Sequence, residues 1–270
     1  MNPNPPVVMV FGGSDPTGGA GLAADILTLA TFGCHAAPVA TAITAQDTEG
    51  MKQYLPVPPE LVIAQARAVL EDMPVAAFKT GMLSNSAIAS AIASIADDYP
   101  DIPLIVDPVQ RSGRGDPLSE EPLEDALRVL LLPRAQLVTP NTEEARRLAP
   151  DSDTLDACAQ ELMSLGCEYV LITGTHDNTP QVLNRLYGNK RLLDTFTFER
   201  LPYGYHGSGC TLAAACAAAL AHGLDPANAI TQALHYTWNT LKHGHRLGMG
   251  QHLPDRLYWG RLARTPSKLE

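Results

Sequence analysis

An α/β fold, with a mostly parallel sheet covered by helices on both faces, is predicted by three features of this 270-residue chain. Short apolar runs alternate with helical patterns over most of its length, the arrangement that parallel sheets with crossover helices require. A composition of 45% hydrophobic and 18% charged residues is enough for a full core, and the length fits one large domain, taken as 1–270. Polar residues gather after the strand-like runs, where parallel α/β sheets bind ligands.

The strand-like runs are 7–11, 37–44, 76–80, 104–107, 136–139 and 169–173. Between them, helical patterns cover 19–31, 59–72, 84–96, 121–131, 142–149 and 154–165. The last third differs: 182–187 and 192–198 flank Gly188-Asn189 as a hairpin, and helices are expected at 210–222 and 226–243. Gly223 can end the first of these, and Asp225-Pro226 supplies an N-cap and a first-turn proline for the second.

Composition narrows the function classes. The formal net charge of −10, without a basic patch, argues against nucleic acid and anionic membranes. No run of 18 or more apolar residues occurs, and the opening Met1-Asn2-Pro3-Asn4-Pro5-Pro6 does not resemble a signal peptide, so a cytoplasmic location is expected. Five cysteines without a CxxC pair indicate reduced thiols rather than a zinc site or a disulfide framework. His243-Gly244-His245 lacks further ligands for a metal, and Cys34-His35 reads as a turn. Trp238 and Trp259 are assigned to helix packing or an oligomer contact.

The strand ends outline one cleft. Residues 12–21 form a Gly/Ser/Asp/Pro/Thr loop followed by Asp25, and Gln46 and Asp47 follow the second run. Later ends contribute Lys79-Thr80-Gly81-Met82, Asp107-Pro108-Val109, Thr139-Pro140-Asn141 with Glu144, and Thr173-Gly174-Thr175. The most loaded segment is His206-Gly207-Ser208-Gly209-Cys210, a glycine turn opening an alanine-rich helix. The unpaired N–H groups of such a turn can hold a phosphate or a developing oxyanion, and the same field would make Cys210 an unusually acidic thiol. Gly19-Ala20-Gly21-Leu22-Ala23-Ala24 matches GxGxxA only in form, because a long polar loop separates it from its strand, and no GxxxxGK[ST] occurs. Phosphoryl transfer needs an anion cradle, oxygen ligands for a metal and a residue that handles the acceptor proton. Gly207–Cys210, then Asp107, Asn141 and Glu144, then Cys210 are candidates; Asn141 and Glu144 also read as a helix cap.

Taken in order, GGSDPTGGAGLAAD (12–25), TAITAQDT (41–48), KTGML (79–83), VDPV (106–109), TPNTEEA (139–145) and HGSGCTLAAA (206–215) resemble the hydroxymethylpyrimidine and phosphomethylpyrimidine kinases of thiamine biosynthesis, within the ribokinase superfamily. Most of that superfamily reads GAGD where this chain has Gly207–Cys210; the pyrimidine kinases and related pyridoxal kinases carry cysteine. The resemblance implies a three-layer α/β/α sandwich, ribokinase-like, with ATP and Mg²⁺ as cofactors and a homodimeric assembly. The implied reaction phosphorylates 4-amino-5-hydroxymethyl-2-methylpyrimidine and then its monophosphate. It places Gly13, Asp25 and Gln46 around the pyrimidine and Met82 and Val109 on either side of its ring. Asp107 and Glu144 fall to the metal, Asn141 and Thr173 to ATP, and Gly207, Ser208, Gly209 and Cys210 to the transferring phosphoryl group, with Cys210 as base.

Three departures accompany the likeness. Thr173-Gly174-Thr175 stands where relatives read KGG, residues 110–115 stand where they resemble MVAKSG, and Gly204-Tyr205 replaces Asn-Thr. Two phosphate-binding lysines are thereby missing, and Arg111 or Arg114 are the candidates to replace one charge. A pyridoxal kinase of the same cysteine-bearing type, and a non-catalytic ligand-binding or regulatory relative, are the alternatives.

Overall fold

A computed structural model of the chain describes residues 4–110, 118 and 123–262. Its strands are β1 (Val7–Ser14), β2 (His35–Asp47), β3 (Gly50–Pro56), β4 (Val75–Thr80), β5 (Leu104–Val106), β6 (Ala135–Val138), β7 (Tyr169–Ile172), β8 (Gln181–Gly188) and β9 (Arg191–Glu199). They form one nine-stranded sheet in the order β3-β2-β1-β4-β5-β6-β7-β8-β9. The six strands from β2 to β7 in that order pair in parallel, while β3, β8 and β9 extend the edges antiparallel.

The helices are α1 (Gly21–Thr31), α2 (Pro59–Leu70), α3 (Ser86–Asp98), α4 (Glu124–Ala126), α5 (Thr142–Leu148), α6 (Leu155–Ser164), α7 (Ser208–Ala221), α8 (Pro226–Lys242) and α9 (Tyr258–Leu262). β1 shows why the sheet needs a layer on each side. Val7, Met9 and Phe11 belong to one apolar core with α2, α3, α5 and α6 residues, whereas Val8 and Val10 belong to another with α1, α7 and α8 residues. Alternate residues of a strand point to opposite faces, so an uninterrupted apolar strand demands two covers. Three layers result, as expected.

Several elements depart from the sequence reading. β2 runs on through Gln46 and Asp47 and turns into β3, an edge strand that was not foreseen; those two residues lie in a strand rather than beyond its end. β3 has no buried residue, so it carries no apolar alternation to reveal it. The helix expected at 121–131 is a single turn, α4, followed by a π-helical turn at Leu127–Leu131; 121 and 122 lie outside the described residues. The hairpin turn falls on Asn189 and Lys190, both with positive φ (51° and 58°), the geometry that matches the twist of its strands. Helix α7 begins at Ser208, two residues earlier than expected, with Gly207 as its N-cap.

Two glycine turns meet at the sheet centre. Gly207 has φ +80°, and a Cβ there would fall 1.9 Å from the Gly19 carbonyl oxygen; one at Gly21 (φ +56°) would fall 2.2 Å from that of Gly13. Helix α7 crosses beneath β1, β4 and β5 and beside α1, so the first turns of both helices converge on the strand ends. Gly207→Ala should lower stability by about 2 kcal/mol or more, combining positive-φ strain with backbone overlap. Urea denaturation measures it; an unchanged midpoint would show that the turns do not touch.

Candidate active site

Backbone hydrogen bonds carry the strand ends round one cleft. Gly81 N donates to Phe11 O (2.8 Å), Asp107 N to Thr80 O (3.0 Å), Thr139 N to Val106 O (3.0 Å) and Thr173 N to Pro140 O (2.9 Å). Above them opens a cavity of about 420 Å³ lined by every one of the foreseen site residues: Gly13, Asp25, Gln46, Met82, Asp107, Val109, Asn141, Glu144, Thr173, Gly207, Ser208, Gly209 and Cys210. Residues separated by up to 197 positions in sequence thus share one wall-to-wall space.

At one end the lining is apolar. Ala42, Met82 and Leu118 form a small cluster of their own with Met51, Tyr54 and Val109 packed against it. Gly13 makes this possible, because a Cβ there would sit 3.0 Å from Met82 Sδ. Gln46 borders the same end from β2, with its side chain half-buried.

The centre holds a buried charge network. Lys79, fully buried, donates to both oxygens of the equally buried Asp25 at 3.0 and 3.1 Å. Its Nζ lies 4.0 Å from Asp107 Oδ2, which has no hydrogen-bond partner among the described residues. Burial works against the ammonium, but the fields of Asp25 and Asp107 and the hydrogen bonds to Asp25 outweigh it and keep Lys79 a cation. Asp25 is therefore a partner of Lys79 in the cavity wall, a role that only the assembled fold reveals. Burial raises Asp107 to about 6, opposed by Lys79 and reinforced by Asp25. Glu144 rises to about 8, first through burial and then through the charge of Asp107.

The cap reading of Asn141 and Glu144 is realised alongside their place in the cavity. Asn141 Oδ1 accepts from the N–H groups of Glu143 and Glu144, both at 2.9 Å, and Glu144 Oε2 accepts from Asn141 N at 2.9 Å. Helices α3, α6 and α8 are likewise capped by the side chains of Asn85, Thr154 and Asp225. Helices α1 and α7 have no side-chain cap. At α1 the Ala20 N–H donates to Asp15 and the Gly21 N–H to the Cys210 thiol, whereas Ser208, Gly209 and Cys210 in the first turn of α7 line the cavity, which suits an anion.

Cys210, in the first turn of α7, does not have the acidic thiol expected. Burial pushes it up to about 11, with Lys79 pulling the other way and Asp107 and Asp25 adding to the rise. The thiol holds its proton in the resting protein at neutral pH, because the loss of water and then the carboxylates around it oppose a thiolate.

Sequence reasoning missed several neighbours. Asp15 receives His206 Nε2 (2.8 Å), Thr17 N (2.8 Å), Thr17 Oγ1 (2.9 Å) and Ala20 N (2.7 Å), so it ties the first glycine loop to the second. Burial opposes its charge, but these donors hold its carboxyl below the usual range. Arg200 binds the loop after β7 through the carbonyls of Gly174 (3.2 Å), Thr175 (2.7 Å) and Thr179 (2.6 Å). Trp238, foreseen only as packing, lines the cavity, stacks near Phe198 and donates to Glu199 O at 3.1 Å. Arg111 and Arg114 lie outside the described residues. A polar residue within a strand or an arginine after one carries no local signal of such partners.

Among the described residues no group of three or more His, Cys, Asp or Glu side chains forms a metal cluster. Asp107 and Glu144 are a carboxylate pair, sufficient for an ion that takes most of its ligands from phosphate and water. Without a cation, Glu144 is protonated more readily folded than unfolded. Its contribution to stability is then greatest below its ordinary 4.5 and is lost as pH rises toward 8. Glu144→Gln should therefore raise the melting temperature of metal-free protein more at pH 8 than at pH 5. Equal shifts at both pH values would show that Glu144 is not held protonated.

Comparison with known proteins identifies relatives of the chain. A family model described as phosphomethylpyrimidine kinase matches residues 15–255. The chain is 40% identical over 252 residues to the hydroxymethylpyrimidine/phosphomethylpyrimidine kinase of Mycobacterium tuberculosis, covering 91% of this chain and 92% of that one. Its structure is similar to pyridoxal kinase from Staphylococcus aureus in complex with AMP-PCP and pyridoxal, with TM-score 0.85, 26% identity and 96% of each chain covered. It is also similar to phosphomethylpyrimidine kinase from Clostridium difficile, with TM-score 0.76, 30% identity and coverage of 88% of this chain and 99% of that one.

Proposed function

The chain belongs to the phosphomethylpyrimidine kinase family, and from that premise we propose how its cavity carries out phosphoryl transfer. It is an ATP-using phosphotransferase of thiamine biosynthesis, and its acceptors are 4-amino-5-hydroxymethyl-2-methylpyrimidine and the monophosphate of that compound. The observation that carries the reading is the meeting, in one cavity, of an apolar slot, two uncapped helix N-termini and a carboxylate pair.

The pyrimidine lies over Gly13 between Met82 and Val109, where a thioether and an apolar wall suit a flat ring. Gln46 reads its edge, since an amide both donates and accepts as an aminopyrimidine does. Asp25 supports this pocket through Lys79 rather than by direct contact. The N–H groups of Gly207, Ser208, Gly209 and Cys210 hold the transferring phosphoryl group, and Asn141 and Thr173 border the polyphosphate. Asp107 and Glu144 would hold Mg²⁺, which neutralises charge on the phosphates. The Asp107 Oδ2, without a hydrogen-bond partner among the described residues, and the burial of Glu144 within the field of Asp107 fit a cation held by this pair.

Cys210 receives the acceptor proton in its minor thiolate form, reached when the thiol first gives its own proton to solvent. A loose transition state asks little of its base, because the attacking hydroxyl keeps its proton until late. Lys79 lowers the cost of that thiolate, and uptake of the hydroxyl proton returns Cys210 to the thiol. Pyridoxal is the closest competing acceptor, having a hydroxymethyl group on a flat ring. Assembly as a homodimer is supported by Ile43 and Leu55, cross-strand partners on β2 and β3 that are 52% and 69% exposed. A cytoplasmic setting fits the five free thiols, and no helix among the described residues is long and apolar enough to cross a membrane.

Purified protein with MgATP should release ADP with hydroxymethylpyrimidine and with its monophosphate, the products being identified by mass. Turnover of pyridoxal alone would refute the pyrimidine reading, and binding without turnover of any acceptor would refute catalysis. With Cys210 as base, kcat should climb with pH from neutrality toward 9. Cys210→Ala should abolish that climb and lower kcat by about 100-fold or more while changing substrate affinity little. A flat wild-type profile, or equal losses in kcat and affinity, would remove Cys210 from that role.

A further inference from the structure

The chain after α8 returns to the cavity and inserts Arg256, only 3% exposed, behind the two glycine turns. Its backbone is held from several elements. Thr31 Oγ1 of α1 and Tyr236 OH of α8 donate to Arg256 O at 3.2 and 3.0 Å, and Asp255 N donates to Thr240 O at 2.9 Å. The guanidinium then donates from Nη2 to Gly19 O (2.6 Å) and Gly207 O (3.3 Å), and from Nε to Thr211 Oγ1 (3.0 Å). The Thr211 hydroxyl itself donates to Gly207 O at 2.8 Å, closing the network.

These hydrogen bonds all end on neutral oxygens, so they solvate the buried guanidinium without cancelling its charge. It also sits behind the first turns of α1 and α7, where backbone dipoles already make the potential positive. Burial weighs most against its charge and the fields of Asp25 and Asp15 offset that only in part, so an anion docked in front would complete the balance. The planar fork adds geometry: one nitrogen reaches a carbonyl on each turn while another reaches α7, which a single ammonium cannot reproduce.

We infer that Arg256 is a positioning residue of the phosphoryl site, setting the spacing of the turns that carry Gly19 and Gly207 and adding positive potential behind their N–H groups. The inference deepens the kinase reading and rests on it. Arg256 reaches the reaction through the cradle, not by touching substrate.

Arg256→Ala, Arg256→Lys and Thr211→Val test it in the full chain, with two readouts. In turnover assays, Arg256→Ala should lose about tenfold or more in kcat with the KM for the pyrimidine within about threefold of wild type. Added guanidinium should restore part of that loss, whereas ammonium should not, and Arg256→Lys should stay impaired. By calorimetry, inorganic pyrophosphate should bind Arg256→Ala about tenfold or more weakly than wild type. Unchanged kcat, equal losses in kcat and pyrimidine affinity, or unchanged pyrophosphate affinity would overturn the assignment. Should Arg256→Ala fail to fold, Thr211→Val decides: it retains the charge but removes the Nε partner, and an unaltered kcat and pyrophosphate affinity would overturn it equally. Wild-type protein that turns over no pyrimidine would refute the kinase reading, while the pyrophosphate comparison would still decide Arg256.

Discussion

The close approach of two backbone turns organises this protein. Gly207 and Gly21 leave no room for a Cβ against the carbonyls of Gly19 and Gly13, respectively. Because the turns can touch, the first turns of α1 and α7 face one space at the sheet centre. The residues around them serve that contact: Asp15 and His206 bridge the loops from above, and Arg256 joins their carbonyls from behind. A sheet that continues parallel from β2 to β7 then brings the remaining strand ends to the same rim, each held by a backbone hydrogen bond to its neighbour.

Charge is concentrated within that frame at an energetic cost. Lys79, Asp25, Asp107, Glu144 and Arg256 are all nearly or wholly removed from water. Lys79 and Asp25 pair with one another; Asp107 has an oxygen without a partner among the described residues, and Glu144 is raised by burial and then by the charge of Asp107. A buried ion pair is weak support for stability, and unmatched carboxylates oppose it. The imbalance is understandable in a site built to receive a cation and a polyanion together, since bound ligands supply the missing counter-charges. The raised thiol of Cys210 belongs to the same balance: a helix N-terminus favours a thiolate, but burial and the nearby carboxylates prevail.

How much was legible in the chain depended on whether a residue's partners were local. The strand runs of β1 and β4–β7 declared themselves because both faces are buried, and the caps of α5 and α8 because capping residues act within one helical turn. The strand β3 did not, having no buried face, and the π-helical turn after α4 has no sequence pattern that distinguishes it from an ordinary helix. Among site residues, the glycine turns and strand-end carboxylates were recognisable as types suited to phosphate and cation. Arg200, His206, Trp238 and Arg256 were not, because their roles come from carbonyls, carboxylates and rings far away in sequence.

The sequence by itself determined the alternation of strands and helices, the ligand-bearing edge of the sheet and the family of chemistry, since periodicity and short motifs encode these locally. Tertiary structure alone decided which charges are paired and which left open. It made Asp25 a partner of Lys79, turned the expected acidic thiol into one held near 11, and placed Arg256 behind the cradle. The reason is physical: burial, field and hydrogen-bond competition depend on distances between residues that only the folded backbone sets.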